Sequence, residues 1–511
     1  MKLNKVKVLC CILIIVVIFF AIFKVCIGNK EKNKNNNQVS QQVVYKDEFK
    51  VGIVKLDTIN PILTKNREMI NINHLVYEPL LYLDSTYKIQ NCLATEYAKT
   101  SVTTYILKIN TSHTFSNGEK VNANDIKNAI NNIKAVNNIF SENVKNIENI
   151  EVIDDSTLKI NLKEETPFFE YNLNFPIVKE TENGYIGTGK YKLETSNENQ
   201  IILVKNSYNN EKINENINKI IVNLYDEAGE LYNAFKTGNV DIINTSSIIY
   251  DNYIGTMGYY IKEYKGREVD FLSCNCRDNL LSQKNIRQAI NYAIDSEKIV
   301  SLFYNNKYYA SKYILDYNNY VCNNVYNFDF SQEKAKEILI NDGWEFVNNR
   351  WRKNGSILQL TISVNSSNTK RCEIAQNIKE QLENIGILVY VNQLSDAQYK
   401  RNLEYKNYQM MLTGVYNGYS PDLNFFYGEN NLANYENEEV ISILNEVKNI
   451  IDSKYIEEKY RTLVELTSKE SVYICLYRNK NTLLVNEKLV GNFEPDNYDI
   501  YNNFESWNVK E

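Results

Sequence analysis

Histidine and proline are nearly missing from this 511-residue chain, which has two His and six Pro alongside 18 Gly, five Met and three Trp. With His74 and His113 as the whole imidazole supply, a Ser/His/Asp arrangement or a His-rich metal site must use one of them. His74 lies in a stretch with helical spacing and His113 stands just before a turn, so both read as ordinary residues. There is no P-loop, no GxSxG elbow, no HExxH pair and no CxxC pair. Catalysis, a cofactor and a metal site are therefore not expected. The shortage of Pro and Gly goes with an abundance of Asn, Lys, Ile and Tyr, a bias that an AT-rich genome accounts for. Each of the 39 tyrosines is accordingly a weak functional signal on its own.

Hydrophobic residues make up 43% and aromatics 12%, which is ample for burial and excludes a disordered chain. The length exceeds one ordinary core and predicts two or three domains. The net charge is −6, but residues 1–34 hold seven Lys and one Glu, which leaves −12 for the rest. Such a surface disfavours nucleic acid as a partner. Residues 8–27 carry a single charge, Lys24. At about 1.5 Å per residue they span roughly the 30 Å of a hydrocarbon core, so an N-terminal transmembrane helix is expected. Lys2, Lys5 and Lys7 precede the run and further lysines follow it, so the charges alone do not orient it. Residues 1–35 read as membrane anchor or signal and 36–46 as a polar linker.

Nine cysteines divide into Cys10, Cys11 and Cys26 near the anchor and Cys92, Cys274, Cys276, Cys322, Cys372 and Cys475 beyond it. An even six permits disulfides, but a domain with a full core does not require them. A soft-metal pair at Cys274 and Cys276 is conceivable, and small buried thiols are the simpler reading.

Residues 105–133 organise the chain. Tyr105, Leu107 and Ile109 alternate with Ile106 and Lys108, the period of a half-buried strand. Ser116-Asn117-Gly118 supplies a turn, and Asn122 with Asp125 three residues on resembles a capping box. Ile126, Ile130 and Ile133 then recur at helical spacing. In order and spacing, Thr104 to Ile109 followed by Thr114 to Ile126 resembles a signature of the family 5 extracellular solute-binding proteins, the peptide and oligopeptide receptors of ABC importers. Further landmarks resemble the family in its own order: Asn60-Pro61, Tyr77-Glu78-Pro79-Leu80-Leu81, Leu93-Ala94-Thr95-Glu96-Tyr97 and Gly187-Thr188-Gly189-Lys190-Tyr191. Phe271 to Cys276, Ile286 to Asp295, Ala335 to Trp344 and Gly386 to Val389 continue the series. The GTG stretch has no third glycine and no βαβ surroundings, so it reads as a structural turn and not a dinucleotide loop. Asp241, at the end of a helix-Gly-strand connection, reads as structural and not as a catalytic acid.

The resemblance implies an α/β, two-lobed periplasmic-binding-protein-like fold, with mixed sheets, a two-strand hinge and an inserted subdomain. Its expected parts are lobe I at 47–76 and 184–262, the subdomain at 77–183, lobe II at 263–479 and a C-terminal segment, 480–511, returning to lobe I. It also implies a monomeric binding domain on the extracytoplasmic face. Many members are lipoproteins, but Phe23-Lys24-Val25 before Cys26 departs from their small-residue pattern, which favours an uncleaved anchor.

The ligand loop of the family resembles Gly414 to Phe426. Peptide-binding members place an Asp four residues before the proline, where this chain has Asn417, and Asp422 follows Pro421. Dipeptide-binding members also use an Arg on the strand before the Ile374 helix, and Asn365 takes that place here. A hydrogen bond to a charged group is worth about 1.5–3 kcal/mol against about 1 for a neutral one, so these changes argue against a short zwitterionic dipeptide. Tyr416 and Tyr419 would line side-chain pockets, with Asn275 and Asn60 beside the cleft. The expected function is capture of an oligopeptide for an ABC permease with separate ATPase subunits. A receptor for an oligosaccharide or metal chelate, or a sensory protein on the same fold, is the alternative.

Overall fold

The structure is a computed structural model that describes residues 43–209, 214–250, 255 and 258–511. Lys46–Val509 form one unit, to which everything below refers; of the second unit, Met1–Tyr45 with Lys510–Glu511, only 43–45 and 510–511 are described. The expected membrane run at 8–27, with Cys10, Cys11 and Cys26, lies outside the described residues, as do residues 36–42 of the linker. No helix among the described residues is long and apolar enough to cross a membrane.

Strand β1 (Glu48–Val54) buries Phe49, Val51 and Ile53 on one face, as alternation requires. The turn after it is closed by Asn60, whose side-chain carbonyl accepts from the N–H groups of Ile62 (3.0 Å) and Leu63 (3.3 Å). Helix α1 (Arg67–Asn73) starts at Asn66, which accepts from the N–H groups of Glu68 and Met69. Strands β2 (Ala94–Ser101) and β3 (Thr104–Ile109), helix α2 (Ala123–Ala135), and strands β4 (Ile147–Asp154) and β5 (Thr157–Leu162) follow. The four strands form an antiparallel sheet in the order β2-β3-β5-β4. Tyr105, Leu107, Ile109, Leu158 and Ile160 share a core with Ile126, Ile130 and Ile133 of α2. Asn122 and Asp125 make the full reciprocal capping box that their spacing predicted.

Next come β6 (Tyr191–Ser196), β7 (Gln200–Lys205), β8 (Lys219–Tyr225), α3 (Ala228–Lys236) and β9 (Ile242–Ser246). The glycines before β6 permit contact between backbones: a Cβ on Gly187 would stand 2.2 Å from the Val76 carbonyl oxygen, and one on Gly189 2.5 Å from that of Leu75. The Gly189 and Tyr191 N–H groups donate to those same segments, at Val76 (3.0 Å) and Leu75 (2.9 Å). The motif is thus a clasp on the end of α1, as a structural turn should be. Asp241 is likewise structural, accepting from the Lys50 N–H at 2.6 Å and so tying β9 to β1.

Among the remaining elements are β10 (Tyr259–Cys274), α4 (Lys284–Ala293), β11 (Tyr308–Ala310), β12 (Gln359–Asn365), α5 (Thr369–Asn384), β13 (Leu388–Leu394), β14 (Met410–Tyr416), α6 (Ser453–Ser468) and β15 (Tyr473–Asn486). One large mixed sheet runs β6-β7-β8-β1-β9-β15-β10-β14-β12-β13, with β11 also paired to β15. The pairs β8·β1, β1·β9, β12·β14 and β12·β13 are parallel and the others antiparallel.

Three large hydrophobic cores flank this sheet, and the two long strands enter all of them. Tyr264 and Leu483 belong to the core built on Phe49, Leu107 and Trp507. Leu272 and Leu476 belong to one built on Ile290, Ile362 and Ile378, and Phe271 and Cys475 to one built on Phe426 and Tyr460. Between these ends the β10·β15 register breaks: Lys265 pairs with Lys480, but the next pair is Val269 with Arg478. Gly266, Arg267 and Glu268 form a bulge. Asn479 fills it, accepting from the Glu268 N–H at 2.9 Å, in a space that a Cβ on Gly266 would occupy.

On the far side of β10, Asp270 receives a two-pronged contact from Arg371 at the start of α5, with distances of 2.6 and 2.7 Å, and the Tyr477 hydroxyl at 2.6 Å. This pair lies against Gly414 of β14, where a Cβ would stand 2.0 Å from the Asp270 carboxylate. The six described cysteines are free thiols, and burial pushes the Cys276 thiol up to about 11.

Gly414→Ala must displace the Asp270–Arg371 pair, and it should cost about 1–3 kcal/mol, read from the urea midpoint; an unchanged midpoint would show that the pair has room to move. Burial raises the carboxyls of Asp241, Glu68 and Asp496 to about 6 and that of Glu170 to about 7. Between their ordinary values and these raised ones the folded chain binds more protons than the unfolded chain, so stability falls as pH rises through 6 to 7. Carboxyls held low, such as Asp57 and Asp84, titrate below this window. Thermal midpoints should therefore be higher at pH 5.5 than at pH 7.5, with a smaller difference in Asp241→Asn.

Candidate functional site

The bulge aims Arg267 into a cavity of about 520 Å³. Its walls come from Pro61 in the turn after β1, from Asn73 and His74 at the end of α1, and from Tyr77 just beyond. Tyr171, Gly418, Tyr419 and Tyr498 complete the wall nearest the arginine. The guanidinium carbon is 3.9 Å from the ring centre of Tyr419 and 4.4 Å from that of Tyr416, and Nη2 donates to the Tyr416 hydroxyl at 2.8 Å. Nε is enclosed and has no hydrogen-bond partner. Asn73 is 3% exposed, lines the same cavity, and its Oδ1 is also without a partner. An enclosed polar atom left this way costs about 1–3 kcal/mol.

The lining is polar in a particular way. No Asp or Glu is among the described residues that face the cavity, while amides and aromatic rings are plentiful. A second cavity of about 410 Å³ shares only Tyr498 with the first and has the opposite character, with Asp84, Glu263, Asp316, Glu494 and Asp496 in its wall. Its one cation among the described residues, Lys265, is paired with Asp316 at 3.0 Å. Burial pushes the Tyr419 hydroxyl up, against the opposing pull of Arg267, so Tyr419 stays neutral beside the cation.

The residues singled out from the sequence are dispersed over the unit. Tyr416 and Tyr419 meet at Arg267, and the Asn417 N–H donates to the Arg267 carbonyl at 3.0 Å. The Asn417 side chain points elsewhere, donating to the Ile314 carbonyl at 2.6 Å, where the buried Arg478 also donates at 2.9 Å. Asn60 adjoins the cavity-lining Pro61 and donates to the Tyr185 hydroxyl at 2.7 Å. Asp422 shapes its own loop: it accepts from the Tyr460 hydroxyl (2.8 Å) and the Asn424 N–H (2.9 Å). Asn365, at the end of β12, donates to Asp396 at 2.7 Å. Asn275, past the end of β10, donates to the carbonyls of Lys406 and Tyr408 and accepts from Asn434, which lines a third cavity of about 580 Å³.

Arg267, Asn73 and Tyr498 were not picked out by sequence reasoning. Arg267 lies in Lys262-Glu263-Tyr264-Lys265-Gly266-Arg267-Glu268, which looks like the solvated part of a strand. Gly266 was the available signal, because a glycine inside a strand marks a bulge.

The geometry has counterparts in known proteins. The profile of the bacterial extracellular solute-binding proteins, family 5 Middle, matches residues 88–437. The oligopeptide-binding protein AppA of Bacillus subtilis is 22% identical over 523 residues, covering 95% of this chain and 96% of its own. The nickel-binding periplasmic protein of Escherichia coli is 24% identical over 363 residues, covering 65% and 68%. Among solved structures, the unliganded open form of the periplasmic murein tripeptide binding protein MppA aligns with a TM-score of 0.79 at 15% identity, over 92% of this chain and 98% of that one. A nickel ABC transporter structure from Bacillus halodurans gives 0.79 at 19% identity, over 91% and 100%. These likenesses identify a mixed α/β fold of the periplasmic-binding-protein type. With well over half of its length matched by the profile, the chain belongs to the bacterial extracellular solute-binding proteins, family 5.

Proposed function

We propose that this chain captures an oligopeptide in the Arg267 cavity and delivers it to the permease of an ABC importer, whose ATPase subunits are separate chains. The observation that carries this reading is where the cavity sits. Its walls belong to segments on either side of the β10·β15 bulge, Pro61 and Tyr77 on one and residues 418–420 on the other, and Arg267 comes from the bulge itself. A solute bound there touches both, which is what a hinged receptor requires for ligand to stabilise its closed form. The amide-rich, aromatic lining suits a peptide held through its backbone, with side chains against flat apolar faces. The relative named as oligopeptide-binding matches nearly the whole chain and supports the same ligand class.

In this reading the parts are lobe I at 47–76 and 184–262, a subdomain at 77–183, lobe II at 263–479 and a returning segment at 480–511. Residues 8–27 would hold the monomeric receptor at the extracytoplasmic face of the membrane, and catalysis has no part in its action. The test is to purify the full-length chain from a rich extract and weigh it by native mass spectrometry. Added masses that sequence as peptides of several residues are expected, and adding back such a peptide should raise the thermal midpoint. A sugar or metal-chelate mass would replace the peptide assignment, and an empty protein indifferent to a peptide library would favour a sensory role.

A further inference from the structure

The same cavity carries a statement about which end of the ligand is read, and this statement rests on the peptide reading above. We propose that Arg267 takes the terminal carboxylate of the bound peptide, and that the amino end meets no counter-charge in this cavity.

The argument begins with the arginine's other obligations. Its guanidinium lies over two tyrosine rings at 3.9 and 4.4 Å, and its Nη2 donates to the Tyr416 hydroxyl. No described Asp or Glu lines the cavity to neutralise the charge. A cation held in this way attracts an anion more strongly than one in bulk water, because less solvent is left to displace. The planar fork of arginine fits a carboxylate edge-on, while the two tyrosine rings lie against its face.

The amino end has no comparable anchor here. The loop position where the family resemblance implies an aspartate is Asn417, and its amide is spent on the Ile314 carbonyl. The five carboxylates nearby line the other cavity, beyond Tyr498. Several of them already have partners: Asp316 has Lys265, Glu263 has Lys480, and Asp496 accepts from the N–H groups of Tyr498 and Asp499.

The experiment uses the full-length chain and one peptide recovered from it, or a library hit, in four forms: free, N-acetylated, C-amidated and doubly blocked. Titration calorimetry should show about tenfold weaker binding on amidation and a change of less than about threefold on acetylation, since one charge-assisted contact outweighs a neutral one by about that factor. In Arg267→Gln the free and amidated forms should bind alike, and Arg267→Lys should recover part of the difference. The comparison on the unaltered protein stands even if a substitution at the bulge impairs folding. Equal affinity for the free and amidated forms overturns the inference while leaving peptide binding intact, as does loss of binding on acetylation alone. Failure of all four forms overturns the peptide reading and the inference with it.

Discussion

The antiparallel pairing of β10 with β15 is the constraint on which the rest of the unit depends. Sixteen and fourteen residues long, these strands lie far apart in sequence yet run side by side through every major core. A residue on either strand therefore serves one core at one end and another at the opposite end. Regular pairing along the whole length would make a stiff ribbon. The three-residue bulge breaks that regularity midway, just before a second shift between Asp270 and Phe271, and places there a glycine with no room for a side chain and an arginine with no acidic partner among the described residues at the cavity. Irregular pairing and the cavity's arginine thereby fall at the same place.

Much of the fold was legible because burial imposes periodicity. The alternation at Tyr105, Leu107 and Ile109, the helical recurrence at Ile286, Ala289, Ile290 and Ala293, and the Asn122/Asp125 box all report contacts within one element and its immediate neighbour. The family's landmarks added the order of those elements. The GTG stretch was correctly read as structural, although its reason, contact with the Leu75 and Val76 carbonyls, depends on a segment more than a hundred residues away.

The site was less legible, and the reason is physical. Motif counting places a residue on a loop but does not say where its hydrogen bonds go. Asn417, Asp422, Asn365 and Asn275 each satisfy a local or tertiary partner, whereas Tyr416 and Tyr419 owe their position to an arginine 150 residues earlier. What distinguishes Arg267 is an unmet valence, and an unmet valence is a property of the assembled structure. In the sequence it is one of many charges in a strand that reads as solvated.

The end of the chain repays attention for a different reason. Trp507 is fully buried against Phe49, Phe504 and Phe493, and Asn214 donates to the carbonyls of Phe504 and Trp507. The first strand of the unit is thus packed by nearly its last residue, and β9 has no partner on one side until β15 has been made. Long-range closure of this kind is slow, because loop entropy is spent before the contacts that reward it form. During synthesis the first core stays unfinished until almost the whole polypeptide is available. A growing chain of this design completes its first core late, and loss of Trp507 would unseat the strand with which the unit begins.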